Sequence, residues 1–73
     1  MGMRLALHLG SVATLDPRQY CEDGGTFHVR CQCGGISRLD EYEVHRGGRV
    51  SPRWACPMPG CEVVDFLVLE VAP

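Results

Sequence analysis

The chain has 73 residues, of which 45% are hydrophobic and 22% are charged, and its formal net charge is −2 at pH 7. This composition is typical of a globular protein and excludes an intrinsically disordered one. The sequence pI of about 5.8 argues against a general electrostatic nucleic-acid binder, which is usually basic. A domain this small buries only about 60% of its unfolded surface, so we expect something beyond a hydrophobic core to stabilise it.

The sequence also indicates a compartment. No stretch approaches the ~18 apolar residues of a membrane span. The first 16 residues, MGMRLALHLGSVATLD, have the basic residue and short apolar run of a signal peptide, but His8 and Gly10 interrupt that run. We therefore expect an intracellular protein, cytoplasmic or (if phage-encoded) in a virion, with no membrane association. In an intracellular protein, paired cysteines indicate a metal site more often than a disulfide bond.

The N-terminal 25 residues predict one strand and an irregular connector. Leu5, Leu7 and Leu9 alternate with less apolar residues, which is the pattern of a half-buried strand. Turn signals of aspartate, proline and glycine then bracket a connector that contains Tyr20 and Cys21.

The middle of the chain predicts a series of short strands. Thr26–Arg30 is rich in β-forming residues and runs directly into the sequence CQCGG. Residues 36–39 and 42–45 continue the series. The sequence RGGR, residues 46–49, predicts a hairpin with a two-residue turn, because both glycines tolerate the positive φ that such turns require.

Two more strands complete the prediction. Val50, Pro52 and Trp54 share a face, and Pro52 cannot donate to a β-ladder, so this strand is expected at an edge or with a bulge. The segment Glu62–Val71 is apolar on both faces, so we expect it to be central or covered and to pair with the first strand. No helical periodicity is present, and the sequence predicts an all-β protein with about five or six short strands.

Two cysteine loops lie where one predicted strand turns into the next: CQCGG, with Cys31 and Cys33, and CPMPGC, with Cys56 and Cys61. Zinc binds four thiolates tetrahedrally at about 2.3 Å, which places neighbouring sulfurs about 3.8 Å apart. Residues i and i+2 of a straight strand are roughly 6.5–7 Å apart, so the first loop has to curl, as its two glycines permit. Prolines and a glycine shape the second loop into a compact turn. We therefore expect both loops to converge on one ion.

With these loops the chain resembles the zinc ribbon family, in which β-hairpins present two cysteine knuckles to a structural zinc. FHVRCQCGG and RWACPMPGCEVV carry the resemblance, which covers about residues 26–71. It implies a small zinc ribbon of antiparallel hairpins at residues 26–73, with residues 1–25 as an added N-terminal strand and connector in one compact domain. It also implies one structural Zn²⁺ held by Cys31, Cys33, Cys56 and Cys61. Ribbons commonly have two residues within each cysteine pair, whereas the spacings here are one and four, so no subfamily follows.

Other uses of the cysteines stay open. Cys21 or His28 could replace one member of the quartet, and iron could occupy a rubredoxin-like site, because thiolates alone do not select the metal. Free thiols or disulfides are a further alternative, although the count of five cysteines and the strain of a Cys31–Cys33 bridge argue against bridging. A structural zinc can contribute about 10–16 kcal/mol, which exceeds the net stability of most small domains. We therefore expect the metal to organise the fold.

The sequence predicts a protein that is not an enzyme. Four cysteines leave no open coordination position at a zinc ion, and neither a phosphate-binding glycine loop nor a nucleophile elbow is present. We expect a structural or adaptor component, with no small-molecule substrate, that binds a protein partner or other copies of itself. Its size and lack of lysine would suit a minor part of a phage particle or a bacterial complex.

Two alternative functions remain. Arg46, Arg49 and Arg53 beside Trp54 are a candidate nucleic-acid or partner surface, with arginines on phosphates and the indole on a base, as in a protein of transcription or replication control. Acidic residues reduce the net charge between Arg38 and Trp54 to +1, so we favour a charged outer face with Trp54 in the core. A rubredoxin-like electron carrier is the second alternative.

Overall fold

The computed structural model describes residues 2–70 and confirms an all-β fold. Within this range the strands are short: β1 Gly2–Leu7, β2 Gln19–Asp23, β3 Thr26–Arg30, β4 Ile36–Arg38, β5 Glu43–Val44, β6 Val50–Ser51, β7 Trp54–Ala55 and β8 Val64–Leu69. One turn of 3-10 helix, Val12–Thr14, lies between β1 and β2. No helix among these residues is long and apolar enough to cross a membrane.

Six strands form one sheet in the order β4-β3-β2-β1-β8-β7, and β5 pairs with β6 in a separate hairpin. The expected pairing of the first and last strands is confirmed, with Gly2 opposite Phe66, and it is parallel. β1 is also parallel to β2, whereas the other strand pairs of the sheet are antiparallel. Because β3 and β7 both run opposite to β1, the cysteine loops that follow them leave the sheet in the same direction.

The core lies on the inner face of this sheet and consists of buried residues from most of the strands: Leu5, Tyr20, Val29, Cys31, Leu39, Val50, Trp54, Leu67 and Leu69. The β5–β6 hairpin packs against β8, where the backbone N–H of Leu69 donates to the carbonyl of Gly48 at 2.7 Å. Gly47 and Gly48 both have φ of +91°, as predicted from RGGR. The loop has three residues, 46–48, and not the predicted two, because the backbone N–H of His45 donates to the carbonyl of Arg49 at 2.7 Å. The hairpin therefore fixes one end of the core.

The outermost strands of the sheet, β4 and β7, come together through side chains. The indole N–H of Trp54 in β7 donates to the hydroxyl of Ser37 in β4 at 3.2 Å. The backbone N–H of Ala55 donates to the hydroxyl of Tyr42, which follows β4, at 3.3 Å. The sheet is thus curled so far that its two edges face each other, and we call this line of contact the seam.

The strand predicted around Pro52 is interrupted. Arg49 lies opposite Val68, and Trp54 lies opposite Asp65. The chain therefore advances by five residues from Arg49 to Trp54 while β8 advances by only three. Two extra residues therefore bulge out at Pro52, as expected of a residue that cannot donate to the ladder. β7 also lies at the edge of the sheet, which agrees with the predicted edge or bulged position.

The sequence prediction is wrong in several details. The described residues form eight short strands, more than the five or six expected. The connector around Tyr20 and Cys21 contains strand β2, and both of these residues are buried. Leu9 follows β1 and is 91% exposed, so it does not continue the inner face of that strand. The central position predicted for the last strand is confirmed by β8, but Val71 lies outside the described residues. The division of the chain at residue 25 stays a prediction.

Candidate metal centre

The four cysteines of the two loops lie together. The sulfurs of Cys31 and Cys61 are 3.6 Å apart, and those of Cys33 and Cys56 are 3.7 Å apart. All four sulfurs lie within 4.8 Å of one another. These separations are close to the about 3.8 Å expected around a tetrahedral zinc–thiolate centre and far above the about 2.05 Å of a disulfide bond. The residues present therefore fit one metal ion held by four thiolates.

The first knuckle, residues 31–35, is a tight turn at the end of β3. The backbone N–H of Gly34 donates to the carbonyl of Cys31 at 2.9 Å, and the N–H of Cys31 donates to the carbonyl of Gly35 at 2.8 Å. Gly34 has φ of +93°, a left-handed conformation that favours glycine. This curl is the feature that lets two cysteines separated by one residue reach the same centre.

The second knuckle, residues 56–61, is built on a different turn. The backbone N–H of Cys61 donates to the carbonyl of Met58 at 3.1 Å, with Pro59 and Gly60 between them. Gly60 has φ of +81°, so proline and glycine occupy the positions that a type II turn prefers for them. Backbone pairing of Cys56 with Val63 at 3.0 Å then closes the loop. The sequence thus specifies each knuckle by local turn chemistry.

The two knuckles also touch each other beside the sulfurs. A Cβ atom at Gly35 would lie 2.1 Å from Cγ of Met58, so the Met58 side chain occupies the space that a larger residue in the first knuckle would need. Because the first knuckle joins β3 to β4 and the second joins β7 to β8, this contact and the metal centre lie across the seam. A bound ion would therefore link the two edges of the sheet.

The pKa values of Cys31, Cys33 and Cys56 are shifted in different directions. Burial raises the pKa of Cys56 to about 12 and also raises the pKa of Cys31, which is 2% exposed. Cys33 is exposed, and a hydrogen bond from the backbone N–H of Gly35 lowers its pKa to about 7. The backbone N–H groups of Cys33 and Met58 act in the same way on the sulfurs of Cys31 and Cys56, against their desolvation. Such N–H donors stabilise thiolate ligands and thereby the charge of a metal–thiolate centre.

Arg30 is a residue of the site that the sequence analysis missed. Its guanidinium donates to the carbonyl of Gly34 in the first knuckle at 2.6 Å, and its Nε donates to the carbonyl of Leu15. It therefore places a positive charge beside a thiolate-rich centre and ties the segment between β1 and β2 to the knuckle. In the sequence, the only sign of this role of Arg30 is its position immediately before Cys31.

The alternative ligands are not at the site. Among residues 2–70, the four knuckle cysteines are the one group of His, Cys, Asp or Glu side chains whose ligand atoms lie close enough to hold an ion. Cys21 is buried and pairs with His28 across β2 and β3. The imidazole Nδ1 of His28 instead lies 3.0 Å from the carbonyl of Thr26.

The candidate nucleic-acid surface is only partly formed. Arg46, Arg49 and Arg53 are exposed, but Trp54 is 2% exposed and belongs to the core. The buried indole has no face free to stack on a base. This corrects the candidate role of Trp54 at a nucleic-acid surface and agrees with its expected position in the core. Of these arginines, Arg53 lies over an aromatic ring, that of Phe66, whose centroid is 5.6 Å from the guanidinium.

Comparisons with protein-family models, with curated proteins and with solved structures each gave no match for this chain.

Proposed function

We propose that this chain is a small non-enzymatic protein that one zinc ion holds in shape and that acts as a structural or adaptor component through protein contacts. The observation that carries this proposal is the group of four sulfurs within 4.8 Å, placed across the seam. A centre with four thiolates has no open position for substrate or water, which is the composition of structural and not of catalytic zinc sites.

Zinc suits the site for two reasons. Cysteine thiolates in tetrahedral arrangement are typical of structural zinc, which can contribute about 10–16 kcal/mol near neutral pH. The pairwise distances of 3.6 and 3.7 Å require little movement of the sulfurs to reach that geometry. Iron is the competing ion, because a rubredoxin-like centre uses the same ligands.

Metal analysis tests this part of the proposal. Protein purified without added metal is expected to contain about one zinc per chain, and Cys31→Ser with Cys61→Ser is expected to remove it. Cys21→Ser is the matched control, since it also removes a buried thiol but lies outside the cluster. A red protein that contains iron would instead support the alternative of a rubredoxin-like electron carrier. Less than about half an equivalent of any metal would reject the site.

The adaptor role is supported by apolar surface that the described residues leave uncovered. Val64 and Phe66 are 51% and 50% exposed although they belong to a central strand, and exposed apolar patches commonly mark interfaces. A place in a phage particle or a bacterial complex stays a prediction of the sequence.

One observation favours nucleic acid as a second candidate partner. Residues 44–61 contain three arginines and no aspartate or glutamate, so positive charge is concentrated within a chain of negative net charge. Fluorescence anisotropy with a labelled single-stranded oligonucleotide tests this, because phosphate contacts weaken steeply with salt. No binding at low salt would remove the candidate.

A further inference from the structure

The outward face of β8 carries an apolar stripe that we call the outer stripe: Val64, Phe66 and Val68. Alternate residues of a strand project to the same side. The other side of β8 carries Leu67 and Leu69, which are 1% and 2% exposed. β8 is therefore apolar on both faces, but its inner face alone is covered within residues 2–70.

The neighbours of the outer stripe add charge at its margins. Arg4 and Arg49 lie on either side of Val68, and Arg53 lies over the ring of Phe66. Gly2 opposite Phe66 and Ala55 opposite Val64 are small, so they leave the stripe accessible. The surface thus has an apolar centre and an arginine-containing rim.

The same face also carries carboxylates. Glu70 pairs with Arg4 at 3.1 Å, and Glu62 is exposed at the opposite end of the stripe. Within residues 2–70, Arg49, Arg53 and Glu62 take part in no ion pair. Unpaired charges of both signs around one apolar centre are complementary to a second copy of the same face.

The order of residues along this face has the symmetry that a two-fold contact needs. Glu62, Val64, Phe66, Val68 and Glu70 give the same sequence of side-chain types in both directions. In a two-fold contact each surface patch meets its own copy. If two stripes stack in opposite directions about Phe66, each Val64 meets a Val68. Glu62 then comes to the end of the partner stripe that carries Glu70, where the two arginines Arg49 and Arg4 balance the two carboxylates.

We propose that the outer stripe packs against the outer stripe of a second copy of this chain, giving a two-fold dimer. The aromatic ring of Phe66 lies at the centre, where aromatic residues contribute most to interfaces. Arg49 and Glu62 form ion pairs at the rim that the single chain lacks. This proposal deepens the protein-contact role proposed above, but it does not depend on which metal the knuckles hold.

Sedimentation equilibrium of the metal-loaded protein, at concentrations up to about 200 μM, tests the dimer. The expected mass is twice the chain mass of 8.0 kDa. Phe66→Arg is expected to weaken self-association at least about 30-fold, as for the loss of an interface hot spot. Leu9→Arg is the matched control, because Leu9 is 91% exposed and lies outside the stripe, so its dimer is expected to be unchanged.

A charge exchange tests the orientation of the two copies. Arg49→Glu and Glu62→Arg are each expected to weaken the dimer, and the two changes together are expected to restore it. Metal content and circular dichroism show that each variant is folded, which separates a failed dimer from a failed metal site. A wild-type monomer, a Phe66→Arg variant that dimerises normally, or a double variant without rescue would overturn the proposal. A wild-type monomer that binds labelled oligonucleotide would overturn it in favour of the nucleic-acid partner.

Discussion

The indole N–H of Trp54 donates to the hydroxyl of Ser37 at 3.2 Å, although the two residues lie in the outermost strands of the sheet, β7 and β4. Both side chains are buried, at 2% and 6% exposure. The bond therefore joins the edges of the curled sheet inside the core, in the same seam that the metal centre crosses.

Removing the acceptor of this bond should destabilise the protein. Ser37→Ala leaves a buried indole N–H without a partner, which costs about 1–3 kcal/mol in the free energy of unfolding. Urea denaturation of the metal-loaded protein measures the loss. Ser11→Ala is the control, because Ser11 is exposed and its side chain caps nothing, and it is expected to change stability by less than about 0.5 kcal/mol. Equal effects of the two changes would contradict the role assigned to the bond.

The hairpin turn offers a second matched pair. A Cβ atom at Gly48 would lie 1.9 Å from the carbonyl oxygen of Leu69, whereas one at Gly47 would meet nothing within 4 Å. Both glycines have φ of +91°, so both alanine variants carry the left-handed penalty of about 1–2 kcal/mol per residue. Gly48→Ala must in addition displace β8 or the turn, and we expect it to lose at least about 3 kcal/mol in total. Thermal unfolding compares the two variants, and a Gly47→Ala that is as unstable as Gly48→Ala would refute the close approach.

Cys21 should be chemically inert in the folded protein. It is 2% exposed, and burial, with a smaller contribution from Asp23, raises its pKa. Since the thiolate is the reactive form, iodoacetamide is expected to leave Cys21 unmodified in the metal-loaded protein at neutral pH. Mass spectrometry of peptides locates the label, and the same reagent in guanidinium should modify all five cysteines. Modification of Cys21 in the folded protein would show that its side chain is not buried.

Metal affinity should fall as the solution is acidified. Burial raises the pKa of Cys56 to about 12 and raises that of Cys31, so both thiols hold protons in the metal-free protein at neutral pH. The ion must displace at least these two protons, and the affinity therefore rises with pH by at least roughly 100-fold per unit. The pKa of Cys33, lowered to about 7, adds to the slope only below that pH, where this thiol is also protonated.

Competition with a chelator of known pH dependence, at pH 6 and pH 7, measures this slope. Release of protons can be followed independently with an indicator in weak buffer. Affinity that is constant over this range would be incompatible with thiolate ligands.

The local parts of the structure were predictable from the sequence. The first knuckle contains the glycines and the second the proline and glycine that their turns require, so the four clustered cysteines could be named from the sequence of the two loops. The strand at residues 26–30 was predicted with its bounds, because β-forming residues lie between a turn and a knuckle. The alternation of leucines with less apolar residues identified the inner face of β1 up to Leu7. It gave the wrong prediction for Leu9, because the same pattern continues in the sequence after the strand has ended.

Apart from the pairing of the first with the last strand, the parts that depend on distant pairing were not predictable. Strand β2 ends in two acidic residues and follows turn signals, so its strand conformation comes from the neighbours β1 and β3 and not from its own pattern. The parallel register of β1 with β8 leaves no local signal either. Sequence alone favoured a core position for Trp54 but left open a role as an aromatic surface residue, and the curl of the sheet, which brings Ser37 to its indole, decides between them.

The central position of β1 has a consequence for how the chain acquires its structure during synthesis. β1 can pair with β2 early, but its other neighbour is β8, where Gly2 lies opposite Phe66, so one edge of β1 stays unpaired until nearly all of the described chain has been made. Pairing between such distant segments is slow, because the entropy of loop closure is lost before the contacts form. Until β8 has been made, β1 therefore keeps one unpaired edge, and chaperones can bind this apolar segment during that time.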